Sequence, residues 1–361
     1  MTQTVITGQQ TRLPKQRIFL FDNIKFLAIL LVVVGHGINF MTEFEEPFWF
    51  ANYLYLTIYS FHMPVFLFIS GLFLKPMNKE TPFPKGKVIS YILIGIILRV
   101  MMSILRLFLG MSPAFSVLEI YDSLTWYMWA MAVFITLMWI FREHNTKYFL
   151  LLSLIVGCMA GYDSNLGDMF ALMRIFVFMP IFTLGYMLTP ESVASFLSNK
   201  ILRIVSVFVV IGFVILFFSN EDIYTYLRPM FTGRNGFGVL DEGYSFGCLY
   251  RLLCYAISVV FGTAVMALVP NRDLGIISKT GTKTLQIYFW HKFFFVIFEA
   301  FFLFEFIVDK TNLQIATAIY IILSIGVTAV CALPVFSFPT KQLLAFGNKL
   351  SKDHGNEKKV K

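Results

Sequence analysis

The stretch Leu20-Phe21-Asp22-Asn23-Ile24-Lys25-Phe26-Leu27-Ala28-Ile29-Leu30-Leu31-Val32-Val33-Val34-Gly35-His36-Gly37 decides how the rest of the chain is read. It is apolar enough to cross a bilayer as a helix, yet it carries Asp22, Lys25 and His36. Ionisable groups in hydrocarbon are costly unless they face a protein interior or a wet cavity, so they mark functional sites by default. Lys25 and His36 are eleven residues apart. At ~100° per residue that is three full turns plus roughly 20°, with ~16 Å of axial rise. The two share one helix face, a cation near one membrane boundary and an imidazole toward the other.

The composition agrees with a membrane segment of this kind. Hydrophobic residues make up 58% of the 361, charged residues only 14%, and the mean hydropathy is +0.74, far from a soluble domain. The net charge of +8 could suit nucleic acid, but the basic residues, placed against the apolar runs, report orientation instead, and no nucleic-acid partner is expected. Cys158, Cys248, Cys254 and Cys331 lie in or beside apolar runs without metal-ligand spacing. They read as buried free thiols, and no metal site is expected. The first apolar run is too long for a signal-peptide core, so it is expected to be retained.

Ten apolar segments can be delimited, at 18–40, 53–74, 88–110, 124–141, 147–161, 170–188, 201–218, 248–269, 283–305 and 314–336. Most have the length needed to cross ~30 Å of hydrocarbon, 147–161 being the shortest. With the N-terminus in the cytoplasm, the inner side collects Arg12, Lys15, Arg17, Lys75, Lys79, Lys85, Lys87 and most other cations, six C-terminal lysines among them. The outer loops hold only Arg228, Arg234 and Lys310, with most of the acids. The expected fold is all-α: a polytopic integral membrane helical bundle of about ten transmembrane helices with both termini cytoplasmic. Residues 1–17 form a cytoplasmic segment, 18–336 one membrane domain and 337–361 a basic cytoplasmic tail, disordered from Ser351 and drawn to anionic membrane lipid. The connection from Ser219 to Gly247, rich in Tyr, Gly and Arg, suits either carbohydrate stacking or a solvated loop with interfacial tyrosines.

Within the segments a small ionisable set remains, notably His36, His62, Arg99, Arg174, Arg251, His291 and Lys292. From the residues alone, His36 is either a cavity base approached across Gly35 and Gly37 or a histidine hydrogen-bonded between helices. His62, in Phe61-His62-Met63-Pro64, reads as a helix entry. Arg174 needs an anion or a carboxylate, for which Asp163 and Asp168 are candidates, and His291 reads more readily as an interhelical hydrogen bond than as a tunnel residue. No Ser-His-Asp order, nucleophile elbow or Walker loop is present. What remains is acid–base work by histidine, whose ordinary pKa of ~6.5 suits a general base for a hydroxyl attacking an activated carbonyl. A transporter using the same residues as a proton relay is the alternative from another class; no internal repeat of the transporter kind is visible.

Asp22-Asn23-Ile24-Lys25, ten residues and then His36 resembles the first-helix motif of the membrane-bound acyltransferase type 3 family, in the form seen in its fucose 4-O-acetylase-like branch. The resemblance continues through Phe61-His62-Met63-Pro64, Leu124-Thr125-Trp126-Tyr127-Met128, the run from Arg174 to Tyr186, and Thr284-Leu285-Gln286-Ile287-Tyr288-Phe289-Trp290-His291. It implies a bacterial, multi-pass plasma-membrane O-acyltransferase, O-acetyltransferase-like. Such an enzyme takes acyl groups from cytoplasmic acyl-CoA and passes them to a hydroxyl of an extracytoplasmic glycan or lipid-linked sugar. Acetyl-CoA is expected as donor substrate, with no permanently bound cofactor. His36 matches the family's essential histidine and Lys25 its essential basic position, where Arg is usual. With Arg174 these are the expected catalytic residues. Lys25, Lys85 and Lys87 are expected to hold the donor, and His62, Trp126 and His291 the acceptor.

Overall fold

The computed structural model describes residues 17–42, 49–112, 125–167 and 169–357, and every regular element among them is helical. This follows from the apolar composition, since a chain in hydrocarbon must satisfy its own backbone N–H and C=O groups. The α-helices, in order, are α1 (Phe19–Asn39), α2 (Trp49–Tyr59), α3 (His62–Leu72), α4 (Lys85–Phe108), α5 (Trp126–Ile140), α6 (Thr146–Met159), α7 (Leu172–Tyr186) and α8 (Pro190–Leu197). They continue with α9 (Lys200–Phe218), α10 (Glu221–Phe231), α11 (Gly247–Leu268), α12 (Ile276–Gly281), α13 (Thr284–Ala300), α14 (Leu303–Lys310), α15 (Leu313–Cys331) and α16 (Thr340–Glu357).

The beginning of α1 is tied down by the motif that opens the chain. Asn23 Nδ2 donates to the carbonyls of Pro270 and Arg272, both at 2.9 Å, while its Oδ1 accepts from Ser278 Oγ at 2.6 Å. Gly281 meets the backbone at Asp22 so closely that a Cβ there would collide with it. Asp22, in the first turn, accepts from Arg17 Nη2 at 2.6 Å and pairs with Lys25 Nζ at 2.8 Å. A carboxylate there also suits the positive end of the helix dipole. Asp22 and Asn23 therefore fix the depth and direction of α1, and through it the position of His36.

A second constraint comes from the break between α2 and α3 at Ser60 and Phe61. Pro64 in the first turn of α3 has no N–H to return to residue 60. The freed carbonyls are satisfied locally: His62 Nδ1 donates to Ile58 O at 2.7 Å and Ser258 Oγ to Ser60 O at 2.6 Å. An interrupted backbone is tolerated at membrane depth where it is covered by protein or lines a cavity. Here it turns Tyr59 and His62 toward the interior. Farther along, α3 crosses α7 with Gly71 against the Phe182 carbonyl and Gly185 against the Phe68 carbonyl, the small-residue contact that lets membrane helices approach closely. This crossing sets His62 of α3 and Arg174 of α7 beside one space.

Among the described residues, six helical stretches are long and apolar enough to cross a membrane: Phe19–Thr42, Trp49–Leu72, Lys85–Phe108, Lys200–Phe218, Phe237–Leu268 and Leu313–Cys331. Counting the α7–α8 pair, bent by 90°, as one span makes seven. This is fewer than the ten expected from hydropathy. The segments at 124–141, 147–161 and 283–305 fold as α5, α6 and α13, with 15, 14 and 17 residues. Phe302, at φ 53°, ends the α13 run and starts α14. Apolar sequence alone does not register such interruptions. By contrast α9 exposes Ile201, Phe208, Ile211 and Ile215, as a helix in contact with lipid does.

Two regions expected to lack regular structure are helical. The connection from Ser219 to Gly247 forms α10 and a 3-10 helix over Phe237–Phe246. The tail from Thr340 is α16, which runs past Ser351 to Glu357 and packs on α4. Gly86 and Gly347 sit backbone to backbone, and Ser90 Oγ donates to Leu343 O at 3.0 Å. The lysines of this tail mask an apolar seam carried by Leu343 and Leu344.

Candidate active site

Among the described residues, two of the cavities in the bundle flank α1. The first, of about 360 Å³, lies by the beginning of α1 and is lined by Lys25, Ser70, Lys87, Tyr91 and Tyr127, with Leu344 and Asn348 of α16 completing its wall. The second, of about 230 Å³, lies by the end of α1 and is lined by His36, His62, Trp126, Arg174, His291 and Lys292. One residue, Tyr288, lines both.

Of the residues singled out from sequence, His36, His62, Trp126, Arg174 and His291 thus come together in one place, although they stand on five different helices. Lys25 does not join them. It is paired with Asp22, lies 5.5 Å from the centre of the Phe73 ring, and lines the other cavity with Lys87. Lys85, the first residue of α4, lines neither cavity.

The histidines differ in what their surroundings do to them. His291 is 2% exposed, and its Nδ1 lies 3.0 Å from Ile287 O and 2.8 Å from Tyr288 O. Carbonyls only accept, so Nδ1 carries a proton, and the ring in its neutral form has Nε2 as its lone pair. That Nε2 is buried without a hydrogen-bond partner among the described residues. His62, 3% exposed, is held in the same way through Nδ1 to Ile58 O. His36 is half-buried and stacks on His291, with ring centroids 5.3 Å apart and planes at 27°.

The glycines beside His36 serve its neighbours. Gly35 admits the Tyr59 ring, and a Cβ at Gly37 would collide with Ser324 Oγ of α15. They let α2 and α15 close around α1 and so hold the imidazole in place. Arg174 lies with Cζ 5.2 Å from the centre of the Trp126 ring, and that ring stacks on Phe178 at 5.4 Å. Of its two expected partners, Asp163 instead accepts from the backbone and side-chain nitrogens of Asn165, and Asp168 lies outside the described residues. Phe170 and Ala171, with φ of 50° and 52°, set the entry to α7 immediately before Arg174. Such left-handed backbone is uncommon for non-glycine residues and persists where packing enforces it.

Several contributors escape a reading of the sequence. Thr232 and Arg234 reach the second cavity from the turn after α10. Arg251, 1% exposed, brackets that turn by donating to Met230 O at 2.7 Å and Asn235 O at 3.4 Å. It acts as a backbone clamp, which explains a buried cation in α11. Tyr59 and Tyr288 were also invisible as site residues, since tyrosine is common in membrane helices. Their one signal was position: Tyr288 is three residues before His291, and Tyr59 three before His62.

An acyltransferase-domain model, that of acyltransferase family 3, matches residues 19–335. The chain belongs to this family. No curated protein and no solved structure matches it. The match runs from the first turn of α1 to beyond α15 and includes all the helices whose side chains form the second cavity. The protein is accordingly a membrane acyltransferase.

Proposed function

We propose that the chain is an O-acyltransferase, most simply an O-acetyltransferase. It would move an acyl group from cytoplasmic acyl-CoA to a hydroxyl of an extracytoplasmic glycan or its lipid-linked precursor. The observation that carries this reading is the pair of cavities at opposite ends of α1, one with Lys25 and Lys87 and no histidine, the other with three histidines beside Arg174, Arg234 and Lys292, meeting at Tyr288. A phosphate-rich donor suits the first and a sugar hydroxyl the second. The excess of basic residues on the side that Lys25 and Lys87 share supports a cytoplasmic entrance. On this reading the ten apolar segments all traverse or enter the membrane, several of them as short or broken helices.

In the reaction, His36 removes the proton of the acceptor hydroxyl as its oxygen attacks the thioester carbonyl. The stacked His291, with its proton on Nδ1, keeps that ring in place. Charge that develops on the carbonyl oxygen falls within reach of the Arg174 and Lys292 side of the cavity; a positioned donor of this kind is commonly worth ~3 kcal/mol of barrier. Collapse expels CoA thiolate, and the proton held by His36 is available to it. A two-step route, with His36 itself acylated first, uses the same groups. Trp126 offers a flat aromatic face for a sugar ring.

The test is transfer of radiolabelled acetyl from acetyl-CoA to surface glycan by membranes containing the wild type or His36→Ala at equal folded amounts. The expected loss is ~10²–10⁴-fold, the usual contribution of a general base. Equal labelling by both would remove His36 from the chemistry.

A further inference from the structure

We propose that Tyr288 selects the acyl group. This rests on the reading of the Lys25 cavity as the donor's, and it concerns the one described residue that lines both cavities.

Tyr288 is held on both sides. Its carbonyl accepts from His291 Nδ1 at 2.8 Å, and its ring lies 5.9 Å from the His291 ring in the second cavity and 5.3 Å from the Tyr127 ring in the first. Tyr127 is itself fixed, its hydroxyl 2.9 Å from Ser70 Oγ and its ring edge-on to Phe66 at 5.3 Å. The divide between the cavities is therefore a packed aromatic group contributed by α3, α5 and α13. It is not a loose flap.

An acyl-CoA in the first cavity keeps its phosphates at the lysines, so its acyl end leads toward Tyr288. For the thioester carbonyl to come near His36, every carbon beyond that carbonyl must lie past the tyrosine ring or beside it. The space left by that ring sets the length of acyl group that can react. A smaller side chain at 288 widens the passage beside the ring and admits additional methylenes. A larger one takes up the space that an acetyl methyl uses.

Equilibrium binding of CoA, acetyl-CoA, butyryl-CoA and hexanoyl-CoA to the purified full chain in lipid nanodiscs tests this. The wild type should favour acetyl-CoA over the longer donors. Tyr288→Ala should shift the butyryl-to-acetyl ratio at least tenfold toward butyryl, since each newly buried methylene is worth about fourfold. Tyr288→Phe should keep the wild-type order, because the ring and not the hydroxyl is the obstacle. Tyr288→Trp, which retains the aromatic packing should the alanine variant fold poorly, should weaken acetyl-CoA relative to CoA. Identical chain-length orders in wild type, Tyr288→Ala and Tyr288→Trp, with CoA bound by all three, would overturn the role of Tyr288 alone. Failure of the wild type to bind CoA would overturn the donor reading of the first cavity, and the selection with it.

Discussion

His291 shows how much chemistry one hydrogen-bond pattern determines. Because Ile287 O and Tyr288 O can only accept, the ring is committed to a proton on Nδ1, and its remaining nitrogen is buried without a hydrogen-bond partner among the described residues. His36, half-buried against it, is the more accessible of the two. That ordering predicts unequal roles. His291→Phe, which keeps a stacked ring and removes Nε2, should lower acyl transfer by about tenfold to a hundredfold and leave the melting temperature within a few degrees of the wild type. A loss as deep as that of His36→Ala, at equal folded amounts, would instead make His291 the base. The sequence identified His36 and Arg174 as residues too costly to be idle in a membrane. It could not show that His291 is stacked on His36, because the two are 255 positions apart and the contact depends on how α13 is set against α1.

At the scale of elements, the site is made by helices that depart from a simple membrane span. The break between α2 and α3 turns His62 inward, the left-handed entry to α7 precedes Arg174, and α5 and α13, with 15 and 17 residues, are shorter than a full span. Hydropathy locates all of these as apolar runs and sees none of their interruptions, since Phe302 or Ser60 changes the backbone without changing the polarity. The C-terminal helix is the opposite case. Its lysines made it read as a tail, whereas Leu343, Leu344 and Gly347 give it a face that packs on α4 and places Leu344 and Asn348 in the first cavity. If that cavity receives the donor, removal of residues 340–361 should raise the KM for acetyl-CoA at least severalfold, with a smaller effect on kcat. Steady-state kinetics at saturating acceptor will show this, and an unchanged KM would assign α16 to stability alone.

For the molecule as a whole, the sequence carried the fold class and the family, because apolar composition and a distinctive first-helix motif are both local properties. The count of spans was less legible, with six or seven helices of sufficient length where ten apolar segments occur. The separation of a cationic end of α1 from an imidazole end was legible in the spacing of Lys25 and His36, but two distinct chambers meeting at Tyr288 were not, being a product of tertiary packing. That arrangement is also the feature with the clearest functional consequence, since on the proposed reading donor and acceptor occupy opposite ends of α1, separated by ~16 Å of helix rise between Lys25 and His36. The central claim is that the acyl group crosses between these chambers. It is tested most directly in proteoliposomes of known orientation, with labelled acetyl-CoA supplied to one face and glycan to the other. The account predicts labelled glycan only when acetyl-CoA is on the face bearing Lys25 and Lys87, and none with His36→Ala. Label appearing equally from either face, or only with donor and acceptor on the same face, would contradict it.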